Sequence, residues 1–280
     1  MRINQNIAAF NSYRNLNQTQ NQLSSSLEKL SSGFRINRAA DDASGLVNSE
    51  NLRSQIGGLK VATRNAQDAI SLVQTAEGAQ TEVHSILQRM RDLAVQSANS
   101  GSNDDAALEA NQAEISQLIE ELDRISDQTQ YGTKQILNGD FADGAADLTF
   151  QVGANSGQTV SVNIESVAAA DLGDGTTDVA DIDVTTAAGA AAAIDSLDGA
   201  IASVSENRAT LGAFQNRMES TIRNVSVAVE NLSAAESRIR DTDMADEMVT
   251  FTRNQILQQA GTAMLAQANQ VPQSVLSLLR

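Results

Sequence analysis

Residues 52–73 read LRSQIGGLKVATRNAQDAISLV, and this stretch decides the fold. Leu52, Ile56, Leu59, Thr63, Ala66, Ile70 and Val73 follow one another by alternating steps of four and three, and six of the seven are apolar. That repeat keeps one seam of an α-helix apolar along its length, which is the signature of a coiled coil. It continues less strictly through Val83, Ile86, Leu87, Met90, Leu93 and Val95 and stops at Asn-Ser-Gly-Ser-Asn, residues 99–103. A helix over about 45–98 would be roughly 80 Å long at 1.5 Å per residue, a length suited to a rod.

A second seam mirrors the first. From Ile194 onward, Val204, Arg208, Leu211, Gln215, Met218, Ile222, Val225, Val229 and Leu232 repeat with the same spacing, seven of the nine apolar. Between the seams, Leu108, Ile115, Leu118, Leu122 and Ile125 stripe a shorter helix. Asp104 and Asp105 stand near its start, where the helix dipole favours negative charge. Residues 148–152 and 159–164 then alternate with period two around Gly153-Ala-Asn-Ser-Gly157, which predicts a β-hairpin over about 147–165. The Ala-, Asp-, Gly- and Thr-rich stretch to about residue 186 offers little to bury and reads as loop with at most one short strand.

Outward from the seams lie two charged breaks, 34–45 and 238–243. In the first, two Arg stand ahead of two Asp, which predicts local ion pairs. Beyond each break is a further amphipathic segment. Ile3, Ile7, Phe10, Tyr13, Leu16, Leu23, Leu27, Leu30 and Phe34 mark the N-terminal one, which runs to Ser31-Ser32-Gly33. Met248, Phe251, Ile256, Leu257, Ala260, Met264 and Leu265 mark the C-terminal one, with Pro272 as its expected end. The plan is nearly symmetric, and its simplest folding brings the two chain ends together with the middle at the far tip. The predicted class is mainly α: a long coiled-coil helix bundle from both chain ends, plus a β-hairpin and a loop-rich middle segment.

Composition removes most other functions. There are 280 residues, 35 acidic against 19 basic, with no Cys, one His and one Pro. No thiolate site or disulfide is possible, and His84 alone builds no multi-His metal centre. Gly57-Gly58 lacks the spacing of a phosphate-binding loop. The Asp41-Asp42 and Asp241/Asp243 pairs read as charged connectors, since neighbouring side chains on one element point apart. No catalytic residue, metal or cofactor is expected. A net charge of −16 disfavours nucleic acid. The N-terminus lacks the apolar region of a cleaved signal, and the Ala187–Ile194 run is far short of a membrane span of about 20 residues. From Gln135 to Asn207 there are twelve acidic residues and no Lys or Arg, so the charge is concentrated in the middle segment.

Three stretches carry a resemblance. Residues 30–56, LSSGFRINRAADDASGLVNSENLRSQI, are similar to the N-terminal motif of bacterial flagellin. RIRDTDMADEM at 238–248 and ILQQAGTAMLAQANQVPQSVLSLLR at 256–280 resemble its C-terminal motif. The likeness covers about 1–165 and 194–280, in the family's order. It implies a structural subunit that self-assembles into the helical flagellar filament for swimming motility. Export would use the flagellar type III route and localisation would be extracellular. With some thirty residues between Ile164 and Ile194, this looks like a short form without large outer domains.

The resemblance also implies an organisation. Residues 1–43 and 237–280 would form a discontinuous inner filament-core domain, packed through Ile3, Ile7, Phe10, Leu16, Leu23, Leu27, Leu30, Phe251, Ile256, Leu257, Met264 and Leu265. Residues 44–236 would form a rod-like helical domain with the hairpin and an acidic, outward-facing loop region over about 166–190. Its seam would be Leu52, Ile56, Leu59, Ile70, Val73, Leu211, Met218, Ile222, Val225 and Leu232. The partners implied are other copies of the chain, an export chaperone, and filament cap and junction proteins, without membrane insertion. Residues 88–96 are similar to the flagellin segment bound by animal Toll-like receptor 5, with Arg89, Leu93 and Glu114 at the family's contact positions. The terminal helices have apolar stripes that need partners, which predicts disordered ends in the monomer that fold on assembly.

Two other readings compete. A hook–filament junction protein shares the end motifs but would build a ring of few copies. A cytoplasmic coiled-coil scaffold would use the seams alone and stay in the cell. Abundance in sheared surface filaments separates the first, and culture-medium fractionation the second.

Overall fold

The repeat that begins at Leu52 lies in one helix of 55 residues, α2 (Ala43–Ser97). The computed structural model describes residues 5–99, 101, 104–173, 175 and 177–278. Before α2 stands α1 (Ile7–Ser32), and after it α3 (Asp105–Gln128). A minimal hairpin of β1 (Gln130–Tyr131) and β2 (Lys134–Gln135), which the sequence pattern did not reveal, precedes the expected one. That second hairpin pairs β3 (Leu148–Gln151) antiparallel with β4 (Thr159–Val162), Leu148 opposite Val162. A 3₁₀ turn at Val179–Asp181 leads into α4 (Ala187–Arg240) and then α5 (Met244–Leu278). The chain divides into two compact units: Met1–Ile56 with Glu230–Arg280, and Gly57–Val229.

In the central unit the buried face of α2 is Ala62, Ala66, Ala69, Val73, Ala76, Gln80, Val83, Leu87, Met90 and Ala94. These positions keep the four–three rhythm, but Ala62 and Ala69 replace Thr63 and Ile70. Thr63 instead turns its hydroxyl to the Leu59 carbonyl, and Ile70 packs half-buried at the core's edge. The facing stripe of α4 is Ala190, Ala193, Leu197, Ala200, Val204, Asn207, Leu211, Phe214 and Met218. Here Asn207 and Phe214 occupy the seam in place of Arg208 and Gln215, which lie beside it and reach Glu77. Ile222 packs half-buried against the same core, and Leu59 and Val225 are half-buried. Alanines thus take two of the buried positions, and the repeat assigns those positions to their neighbours. The Ala187–Ile194 run, too short for a membrane span, is the first part of α4, which starts ahead of the Ile194 from which the seam is read.

The segment before α4 corrects a second expectation. It buries Val167, Ala169, Leu172, Val179, Ile182 and Val184, while Asp171, Asp178, Asp181 and Asp183 stay exposed. Backbone bonds such as Val179 N–H to the Leu172 carbonyl tie the segment to itself, and side chains of the helices satisfy more of its backbone. Gln112 of α3 donates to the Ile182 carbonyl and accepts from the Val184 N–H, at 3.0 and 2.8 Å. Asp123 accepts from Ala169 N–H, and the Ser196 hydroxyl donates to the Thr177 carbonyl. The hairpin's turn is held as closely: a Cβ on Gly58 would lie 2.9 Å from the Ala154 Cβ.

In the terminal unit α1 runs antiparallel to α5. Gly33, with φ of +75°, caps α1 in the left-handed region that glycine enters without strain, and its N–H donates to the Lys29 carbonyl. The expected stop at Pro272 does not occur, since α5 continues through it to Leu278. Proline removes one backbone donor, and a helix tolerates this where another group serves the freed carbonyl.

Candidate functional site

The seam between α1 and α5 mixes small and polar side chains with a few large apolar ones. Along α1 the less exposed positions are Ala9, Ser12, Leu16, Thr19, Leu23, Ser26 and Leu30. Along α5 they are Phe251, Asn254, Gln258, Gly261, Leu265 and Ala268. Leu16 sits over Gly261, where an added Cβ would meet its Cδ1 at 3.2 Å. Of the expected filament-core residues, Leu16, Leu23, Leu30, Phe251 and Leu265 therefore face this intramolecular seam. Ile7, Phe10, Leu27, Ile256, Leu257 and Met264 are exposed, Phe10 to 69 % and Met264 to 63 %. Ile3 lies outside the described residues. Met248, Val249, Thr252, Arg253, Ile256 and Leu257 lie together on the outer side of α5. The larger share of the apolar surface thus faces away from the partner helix in the same chain. Exposed patches of this kind mark interaction surfaces.

The two charged breaks meet. Phe34 and Asp241 form an antiparallel bridge. Arg35 N–H donates to the Arg240 carbonyl at 2.7 Å, and Thr242 N–H to the Gly33 carbonyl at 3.0 Å. The Arg35 guanidinium reaches the Ile239 carbonyl, while that of Arg240 lies 4.8 Å over the Phe34 ring and bonds Glu50. Ile36 is buried beneath, and Leu52, Ile56 and Leu232 continue the packing of this unit, Ile56 buried and the other two half-buried.

The expected Arg–Asp pairs within the first break do not form among the described residues. Arg38 bonds Glu28 at 2.9 Å instead. Asp41 accepts backbone N–H groups of Arg38 and Asn37, which, Arg38 foremost, hold its carboxyl below the usual aspartate value. Asp42 accepts from Gly45 N–H at the start of α2, and Asp243 from Ala245 N–H at the start of α5. These carboxylates serve as turn and cap acceptors.

On the central unit, Arg89 bonds Glu114 across α2 and α3 at 2.6 Å, both side chains substantially exposed. Leu93 is 2 % exposed and belongs to the core. Arg91 bonds Asp198 on α4, which raises the guanidinium pKa and lowers that of the carboxyl. Among the described residues, no group of three or more His, Asp or Glu side chains could hold a metal ion.

Sequence reasoning missed Asn6, Arg240, Asn254 and Gly261. Two of them carried a signal: Asn254 and Gly261 stand seven apart, at one position of the α5 heptad.

Comparison with known proteins bears on this arrangement. The model of the bacterial flagellin N-terminal helical region matches residues 3–142, and that of the C-terminal helical region residues 194–279. The flagellin of Halalkalibacterium halodurans is 54 % identical over 282 residues and that of Bacillus subtilis 52 % over 304, each match covering all of both chains. The flagellar filament 33 kDa core protein of Treponema phagedenis is 49 % identical over 289 residues, again across both whole chains. Among solved structures, Bacillus cereus flagellin is 34 % identical, covering 62 % of this chain and 94 % of that one, with a TM-score of 0.48. A putative flagellar hook-associated protein from Vibrio parahaemolyticus shares the fold at a TM-score of 0.61 and 17 % identity, covering 72 % of this chain and 100 % of that one.

Proposed function

Since the chain belongs to the bacterial flagellin family and is a structural subunit of the flagellar filament, we propose that neighbouring copies cover the outer faces of α1 and α5. The family is one of structural proteins and not of enzymes. The observation that carries the proposal is the exposure of Ile7, Phe10, Tyr13 and Leu27 on α1 and of Met248, Val249, Ile256, Leu257 and Met264 on α5. Two different apolar faces on one chain suit a heterologous contact, which propagates as a helix where an isologous one would close a dimer.

In this reading residues 1–43 and 237–280 form the filament core, and residues 44–236 the shell around it. The seam residues Leu52, Ile56, Leu59, Ile70, Val73, Leu211, Met218, Ile222, Val225 and Leu232 hold the long helices together. The acidic middle segment faces the medium, where like charge keeps filaments apart. Placement outside the cell, type III export, an export chaperone, and cap and junction proteins follow from the family. Recognition by Toll-like receptor 5 is a second reading, supported by the exposure of Arg89 and Glu114. Leu93 would act there through its packing.

The test is electron microscopy of the purified chain after induced polymerisation. Long helical filaments are expected. Rings of few copies would favour the junction-protein reading, and dispersed dimers the scaffold.

A further inference from the structure

Asn6 caps α1, its Oδ1 accepting the Ala9 N–H at 3.1 Å. Its Nδ2 does something else: it donates at 2.8 Å to the carbonyl of Ala268 on α5, 262 residues away. In an α-helix the carbonyl of residue 268 would accept the N–H of residue 272. Residue 272 is the chain's single proline, which has no N–H. The side chain that begins α1 therefore serves the carbonyl left open inside α5.

We propose that Asn6 and Pro272 form a register lock between the two terminal helices, with Asn6 as a positioning residue for filament assembly. Leu16 over Gly261 gives the seam one apolar register contact, while its small positions, Ala9, Ser12, Thr19, Ser26 and Ala268, pack similarly after a slide. A polar group with one available partner specifies register where apolar packing does not. Pro272 supplies that partner at one place along the interior of α5. The lock aligns the outer stripes of α1 with those of α5, so that a neighbouring copy meets both in one register. This step rests on the filament reading above.

A double-substitution cycle on the full-length chain tests it, with the melting midpoint of assembled filaments as the readout. Asn6→Ser keeps a capping oxygen but is too short to reach Ala268. Pro272→Ala restores the helical donor and makes the Asn6 amide redundant. Asn6→Ser alone should lower the midpoint by roughly 2–4 °C. In the Pro272→Ala background the same substitution should produce almost no drop. If Asn6→Ser prevents polymerisation, restoration of filaments by Pro272→Ala supports the lock, and absence of rescue overturns it. Equal losses in both backgrounds overturn it too, leaving Asn6 a local cap. A wild-type chain that never polymerises would overturn the filament reading and the lock with it, whereas polymerisation with additive losses overturns the lock alone.

Discussion

Arg240, at the end of α4, places its Nη1 2.6 Å from Glu50 Oε1 on α2, 190 residues earlier in the chain. The Arg240 side chain is only 13 % exposed and also covers the Phe34 ring. One guanidinium thus joins the start of α2, the first charged break and the second. An ion pair at such a position contributes more than one on open surface, because less solvent screens it.

Arg240→Ala removes both the ion pair and the ring contact. The expected loss is about 1–2 kcal/mol, read by thermal unfolding of assembled filaments. Glu50→Gln should cost less, since the ring contact survives. An Arg240→Ala loss no larger than that of Glu50→Gln would show that the ring contact contributes nothing.

Leu27→Asp and Ile256→Asp put charge on the outer faces while sparing the intramolecular seam. Both should abolish filaments and leave the melting of the central unit unchanged. Sedimentation after induced polymerisation, alongside circular dichroism of the monomer, checks this. Normal filaments from either variant would remove that face from the subunit contact.

Gln112→Leu deletes two side-chain bonds to the backbone of 182–184. Each is worth roughly 0.5–1.5 kcal/mol net, and the freed Val184 N–H is then left inside an apolar environment. Hydrogen exchange at Val184 should accelerate, with α3 itself still protected. Unchanged exchange there would mean that apolar burial alone anchors the segment.

Acid should loosen the turn of the first break. The Asp41 carboxyl is held below its usual value of 3.8 chiefly by the Arg38 N–H, then by that of Asn37. A folded-state value below the unfolded one means a stabilisation fully present above the unfolded pKa and lost as pH falls through the folded pKa. The window therefore opens just below pH 4 and extends downward. Asp41→Asn should flatten this part of the pH dependence of filament melting, while unchanged acid sensitivity would assign it to other carboxylates.

The long helices, the main hairpin and the two breaks were legible because their signals are local. Four–three spacing, period-two alternation and a glycine at 33 act within a few residues of themselves. The position of each seam was legible only in part. Val73, Leu211 and Met218 are core residues as the pattern implies, yet Ala62, Ala69, Asn207 and Phe214 stand where the repeat places Thr63, Ile70, Arg208 and Gln215. A repeat identifies the face of a helix to within one residue, and the fit of the facing helix selects among the candidates.

The terminal helices show the same division most sharply. From sequence alone, the amphipathic stripe on α1 and the motifs at both chain ends determined a helical subunit of the flagellin type. They could not separate Leu16, Leu23 and Leu30, which face α5, from Ile7, Phe10 and Leu27, which do not. Tertiary structure decided that by turning Leu16, Leu23 and Leu30, with the small residues between them, toward α5 and leaving Ile7, Phe10 and Leu27 outside. It also decided that α5 passes through Pro272, since the group that serves the freed carbonyl comes from the opposite end of the chain. Local propensity carries no information about a partner 262 residues away.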